Sequence, residues 1–317
     1  MKRRGFLKSA LAGGLAAGPL ANARKSEGQI PKRLYRDDVQ LSIIGFGGIV
    51  VVGMEQELAN RTVAESFDRG VNYYDVAPSY FDGEAEQKLG VALKPYRKKV
   101  FLACKTTKRD AAGAAEELET SLKRVQTDYF DLYQFHAVSS MKDVEEILAP
   151  GGAAKTYLKA RKEGKVLYLG FSAHDAEAAI ALMDRFPCDS VLFPINYVCY
   201  QQGSFGPQVV AHAKKKGVAR LALKALAYSP WPEGMKDSDK KYRKCWYQPI
   251  DERSHAAKAL RFTLSEDVTA AIPPGDERIY AMALDIAADF QPMTAAEREA
   301  LLASAAGVAP IFKKGSA

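Results

Sequence analysis

Short apolar runs and longer amphipathic ones alternate along nearly the whole chain. The short runs are LSIIGFGG (41–48), VNYYDV (71–76), KKVFLACK (98–105), YFDLYQFH (129–136), KVLYLGFS (165–172), SVLFPIN (190–196), ARLALKAL (219–226) and VTAAIP (268–273). Each is four to eight residues rich in branched and aromatic side chains, the signature of a strand buried on both faces. Between them lie helical patterns: one running to Arg69, then Glu84 to Leu93, Ala111 to Val125, a stretch ending at Glu163, and further runs in the second half. Strand and helix in strict alternation require a parallel sheet with right-handed crossovers. Eight such units close on themselves, so the expected fold is α/β, a (β/α)8 TIM barrel.

The polar residues that interrupt this pattern fall at particular places. Asp75 ends the second predicted strand, Tyr80 lies in the loop after it, Lys105 ends the third strand and His136 ends the fourth. In a barrel these strand ends share one face, the face that carries chemistry. A phenol is a poor acid at neutral pH unless a cation stabilises its phenolate, so Lys105 near Tyr80 is expected to lower the phenol's pKa. A buried ammonium needs a counter-charge, which Asp75 can supply. His136 can orient a carbonyl oxygen by hydrogen bonding, or pass a proton to the phenol. Together the four describe a general acid aimed at a carbonyl, with no nucleophile and no metal ligands. No side chain donates hydride, so a nicotinamide cofactor is required.

The first 23 residues, MKRRGFLKSALAGGLAAGPLANA, change the picture of charge and destination. A basic start, a short apolar run and Ala21-Asn22-Ala23 read as a cleaved export signal, and Arg3-Arg4 followed by Phe6-Leu7-Lys8 resembles the twin-arginine type. The expected domains are the signal at 1–23, a flexible lead-in at 24–33 and a single barrel at 34–317. The expected location is periplasmic, with the twin-arginine (Tat) translocon as a partner during export and no stable membrane insertion after cleavage. Without Lys2, Arg3, Arg4 and Lys8 the formal net charge of +7 falls to +3, so nucleic acid is not an expected partner. Cys104, Cys188, Cys199 and Cys245 show no CxxC spacing, and neither zinc nor a cluster is expected. A disulfide is open to an exported chain, although Cys104 in a strand interior reads as a small buried filler.

GFGGIV, YDVAPSYFDGEAEQKLGVAL, VFLACKT, ELETSLKRVQTDYFDLYQFH and GKVLYLGFSAHD together resemble the aldo/keto reductases, over about Leu34 to Ala306. The resemblance implies NAD(P)(H) held across the barrel mouth, with Asp75, Tyr80, Lys105 and His136 as the catalytic tetrad. It implies that Tyr80 protonates a carbonyl or deprotonates the matching alcohol, and that the substrate is a small-molecule aldehyde, ketone, sugar or alcohol. Candidate cofactor residues are Gly48, Ser172, Asn196, Lys224, Gly275 and Arg278. Ala173 stands where many members have Asn, and Phe193 where a Gln holds the carboxamide, with Asn196 as its substitute. The aromatic residue that stacks on nicotinamide is replaced by Lys224 or shifted to Tyr228. In AIPPGDERI, Asp276 and Glu277 would repel a 2′-phosphate while Arg278 would attract it; NADP is favoured slightly over NAD on family grounds. The tail cysteines of the iron–sulfur branch are missing, so no cluster is expected.

SPWPEGMKDSDKKYRKCWYQP (229–249) is long for a connection and reads as a lid or substrate wall, in which Trp231, Trp246 and Tyr247 line a pocket or pin the loop down. Two other functions fit the same residues: a redox-neutral sugar epimerase or rearrangement with a retained cofactor, and a nucleotide-binding regulatory protein without turnover.

Overall fold

The computed structural model describes residues 28–315. The expected export signal, 1–23, and residues 24–27 of the expected lead-in lie outside them. The chain opens with an antiparallel hairpin, β1 (Lys32–Arg36) and β2 (Val39–Ser42), and then enters the barrel. β3 (Phe46–Gly47), β4 (Tyr73–Asp75), β5 (Phe101–Thr106), β6 (Phe130–Val138), β7 (Val166–Ala173), β8 (Ser190–Pro194) and β9 (Ala219–Leu223) pair in parallel, each with the next. A second hairpin, β10 (Ala227–Pro230) and β11 (Tyr247–Pro249), follows, and β12 (Ala270–Ile272) pairs with β9. The barrel closes where Gly45 N donates to Ala271 O (2.9 Å) and Ala271 N to Ile43 O (2.8 Å).

Helices α1 (Gln56–Asp68), α2 (Glu84–Leu93), α3 (Ala111–Val125), α4 (Met141–Leu148), α5 (Ala153–Lys162), α6 (Ala176–Arg185), α7 (Tyr197–Gly203), α8 (Pro207–Lys216), α9 (Arg253–Ser265), α10 (Glu277–Ala288) and α11 (Ala295–Ala303) accompany the strands. α3 shows why such runs are helical. Asp110 caps its first turn through Gly113 N (2.8 Å), worth about 1 kcal/mol, and its buried residues Ala114, Leu118, Ser121, Leu122 and Val125 recur at helical spacing. The stretch ending at Glu163 is two helices, α4 and α5, because Pro150 and the glycines after it break the pattern. None of the described helices is long and apolar enough to cross a membrane.

Side-chain alternation along the strands sorts the core into two parts. Tyr73, Phe101, Ala103, Leu132, Leu192, Leu221 and Ala270 fill the barrel interior. Tyr74, Leu102, Cys104, Tyr133, Phe171, Phe193, Ala222 and Ala271 face the helices. The first hairpin plugs the pole where the strands begin: Tyr35 and Leu41 join the interior cluster, and Tyr35 Oη donates to Ser190 Oγ (3.0 Å). This hairpin takes in Lys32 and Arg33, which the sequence reading assigned to the lead-in; their pairing with Ser42 and Leu41 sets the strand's start. All four cysteines are buried and unbridged.

Candidate active site

The same alternation that puts Phe101 and Ala103 inside the barrel puts Lys105 there, two residues on, at the end where the strands finish. Asp75, two residues after Tyr73, arrives beside it. Lys105 is 1% exposed and Asp75 2%. The Lys105 ammonium donates to Asp75 Oδ1, to Val76 O (3.3 Å) and to Tyr80 Oη (3.1 Å). The other carboxylate oxygen of Asp75 accepts from Tyr73 Oη (3.3 Å) and Gln134 Nε2 (3.2 Å). Burial, the largest single influence, favours loss of the Lys105 proton, but Asp75 and Tyr80 together outweigh it and the ammonium's pKa lies above its ordinary value. Tyr80 behaves otherwise than expected. Burial raises its pKa, and the opposing pull of Lys105 is too weak to bring it below the ordinary phenol value. The phenol is therefore protonated at neutral pH.

His136 lies edge-on to Tyr80, ring centroids 5.6 Å apart, and its Nδ1 is 3.2 Å from Ser79 Oγ. Burial, then the charge of Lys105, pushes its pKa well below 6.5, so the ring is neutral at physiological pH. In the tautomer where Ser79 donates to Nδ1, the ring proton is on Nε2 and can be offered to a carbonyl oxygen. Its backbone is fixed from behind, since Arg109 donates to His136 O (2.9 Å) and Ala137 N to Ser172 Oγ (2.8 Å).

These residues floor a cavity of about 660 Å3. Three of the six candidate cofactor residues line it: Ser172, Lys224 and Gly275. At Gly275 any Cβ would lie 2.3 Å from Ile49 Cγ2, so glycine alone lets the loop before α10 lie flush against the residues after β3. The remaining three do not. Gly48 is one residue beyond the lining Gly47, and its bare Cα instead admits Val76, whose Cγ2 would be 2.9 Å from a Cβ. Asn196 is fully buried and committed to the backbone: Oδ1 caps α7 through Cys199 N (2.8 Å), and Nδ2 donates to Lys224 O (3.1 Å). Arg278 bonds both carboxylate oxygens of Asp276 (3.0 and 2.9 Å) and lies over Tyr242, outside the cavity.

The other positions compared with the family pattern resolve in the same way. Phe193 faces outward and stacks on Phe205 at 4.8 Å, while its neighbour Leu192 faces the cavity. Ala173 also belongs to the outer cluster, and His174 turns to the mouth. Of the two alternatives for the stacking aromatic, Lys224 is at the cavity, whereas Tyr228 packs against His255 (5.5 Å).

Sequence reasoning read 229–249 as a wall but missed the charged residues on it. The arm from 231 to 246, carried on β10 and β11, brings Asp237, Lys240, Arg243, Lys244, Cys245 and Trp246 to the cavity, with Tyr247 at its base. Lys244 straps the arm down through Val50 O (3.0 Å) and Glu277 (3.2 Å), and Trp231 Nε1 donates to Cys245 O (2.8 Å). Trp246 and Tyr247 are thus wall residues, and Trp231 is the clasp. The run KKYRK was the available signal. No group of three or more acidic, His or Cys side chains among the described residues is placed to hold a metal ion.

A closed eight-stranded barrel with a phenol, an ammonium and an imidazole at its mouth fits one class, an oxidoreductase of carbonyl compounds. The chain belongs to the aldo/keto reductase family, whose sequence model matches residues 43–272. It is similar to the aldo-keto reductase YhdN of Bacillus subtilis, 28% identical over 200 residues that span 59% of this chain and 58% of that one. It is also similar to the uncharacterized oxidoreductase YqkF of the same organism, 23% identical over 85% of this chain and 94% of that one. Among solved structures, the holo form of aldo-keto reductase AKR11C1 from Bacillus halodurans superposes with a TM-score of 0.69 at 25% identity, covering 91% of this chain and 99% of that one. As a family member the chain is an NAD(P)-dependent oxidoreductase.

Proposed function

We propose that this protein reduces a small aldehyde or ketone, with Tyr80 as the general acid and His136 as the donor that orients the carbonyl oxygen. The observation that carries the reading is the 3.1 Å contact between Lys105 and Tyr80, with Asp75 behind it. When bound, NAD(P)H supplies the hydride. The residues present suit such a cofactor: Gly47 and Gly275 keep the wall thin, and Lys240, Arg243 and Lys244 offer cations toward a diphosphate. In the reduction, Tyr80 gives its proton to the carbonyl oxygen. Lys105 stabilises the phenolate left behind, and Asp75 keeps the ammonium charged. In the reverse direction the same phenolate takes the proton of an alcohol.

NADP(H) and NAD(H) are both proposed as cofactors. Arg278 is the residue suited to a 2′-phosphate, and a phosphate would have to compete with Asp276 for it, so we expect the two nucleotides to bind with similar affinity. We further propose that the leader carries the folded protein to the periplasm by the twin-arginine route, with the cofactor retained during export. The test is Tyr80→Phe: a fall in turnover of about a hundredfold or more with nucleotide binding kept supports general-acid catalysis, and unchanged turnover sinks it.

A further inference from the structure

Five cations line the cavity against two carboxylates, Asp75 and Asp237. Four of the cations are engaged: Lys105 by Asp75, Lys240 by Asp237 (2.6 Å), Lys244 by Glu277 (3.2 Å) and Arg243 by Ser238 O (3.0 Å). Lys224 is the exception. Among the described residues its ammonium has neither an ion pair nor a hydrogen-bond acceptor. Its neighbours are the faces of Trp246 (5.3 Å) and Tyr247 (5.0 Å).

This placement is built into the backbone. Continuing the alternation of β9, where Leu221 and Leu223 face inward, would turn residue 224 away from the mouth. Lys224 instead adopts φ +68°, a conformation unfavourable for a lysine, which brings the side chain to the cavity wall. Its carbonyl is held in that turn by Asn196 Nδ2 (3.1 Å) and Ala227 N (2.9 Å). Burial and then the nearby Lys105 bring its pKa down to about 8, the mark of an ammonium short of a counter-charge. Lys224 lines the same cavity as Tyr80, His136 and His174.

We propose that Lys224 binds a carboxylate on the substrate, so that the preferred substrates are carbonyl compounds bearing an adjacent carboxylate, the 2-oxo acids, over neutral aldehydes and ketones. The proposal rests on the reading of this site as carbonyl-reducing. Lys224, Tyr80 and His136 line one cavity, so a carboxylate turned to Lys224 leaves its neighbouring carbonyl to face Tyr80 and His136, and it supplies the missing counter-charge. It takes no part in bond making. The carbonyl carbon gains hydride from the bound nicotinamide, which is oxidised, and the oxygen takes the Tyr80 proton, giving a 2-hydroxy acid.

The experiment compares initial rates of the full-length protein with NAD(P)H on a series of 2-oxo acids and their methyl esters, alongside simple aldehydes, for the wild type, Lys224→Met and Lys224→Arg. Nucleotide affinity is measured in parallel by fluorescence titration. The wild type is expected to favour acid over ester by about 10- to 100-fold in kcat/KM, the range of a charge-assisted hydrogen bond. Lys224→Met should abolish the preference, lowering kcat/KM on the acids by about 10- to 100-fold more than on the esters, and Lys224→Arg should restore part of it. Equal rates on acid and ester in the wild type, or an acid preference that survives Lys224→Met, overturns the proposal. So does a loss confined to nucleotide affinity, which would assign the cation to the cofactor's diphosphate. Aldehydes reduced while both acids and esters are refused would overturn the substrate class alone. Failure on every carbonyl, with Tyr80→Phe no worse than wild type, would remove the functional reading beneath it.

Discussion

Phe312, close to the C-terminus, lies flat against His174 at the barrel mouth, ring centroids 4.9 Å apart and planes 24° apart. The other face of the relationship is Phe205, stacked on Phe312 at 5.4 Å, and Trp246 meets its edge at 5.8 Å. The tail is held in place by Lys314 N donating to Gly203 O (2.8 Å). Phe312 thus joins three segments that sequence distance keeps apart: the end of β7, the loop after α7 and the arm. Phe312→Ala is expected to cost about 1–3 kcal/mol of stability and to raise KM through a looser Trp246, with thermal melting and steady-state kinetics as the two readouts.

Tyr80→Phe and Lys105→Met should both abolish catalysis yet differ in stability. Losing the phenol hydroxyl removes one hydrogen bond, about 1 kcal/mol. Losing the Lys105 ammonium leaves the Asp75 carboxylate buried without its ion-pair partner, a cost of about 3–5 kcal/mol. Urea denaturation midpoints distinguish the two; equal midpoints would mean that Asp75 is relieved by other means.

Stability should fall with acid over a defined window through His174. Burial, then Lys224, lowers its folded pKa to about 4 from the ordinary 6.5. Below pH 6.5 the unfolded chain takes up a proton that the folded protein refuses, so unfolding becomes easier as pH drops from 6.5 to about 4, by up to about 1.4 kcal/mol per pH unit. Phe312 stacks on this ring, and Lys224 and His136 are the titratable groups that act on it through charge. His136, also held well below 6.5, adds to the slope in this window, so His174→Gln should reduce the slope without abolishing it, and an unchanged slope would contradict the assignment.

Asp276→Ala should release Arg278 and shift nucleotide preference toward NADP(H) by about tenfold, since a single new Arg–phosphate pair is worth roughly 1.4 kcal/mol or more. The same change removes the cap that Asp276 gives α10 through Arg278 N (3.0 Å), at about 1 kcal/mol. Paired titrations with NADPH and NADH check the ratio.

The barrel was legible because each of its strands is an apolar run bounded by turn residues, and Asp75, Lys105 and His136 were legible because each ends such a run. The hairpin of β1 and β2 was not: RLYRDDVQLS is short, half polar, and turns at Asp37 with φ +52° where a glycine would have signalled it. Errors at the cofactor wall came from strand parity. Phe193 and Ala173 stand on the helix-facing side, so their departures from the family pattern do not touch the cavity. Lys224 escapes the parity rule through a left-handed turn that no residue type announces. The arm's basic wall comes from a fold-back of more than fifteen residues, and local pattern does not say which way such a loop lies.

The plug formed by Tyr35 and Leu41 also decides how the protein sits on anything that holds its beginning. The chain enters at the sealed pole, where Ile30 N bonds Arg69 O (2.8 Å) at the end of α1, while the mouth opens at the opposite pole. A tether, bead or surface attached before Gly28 therefore leaves the catalytic opening pointing away from the support, and immobilisation through that end leaves access to the mouth free.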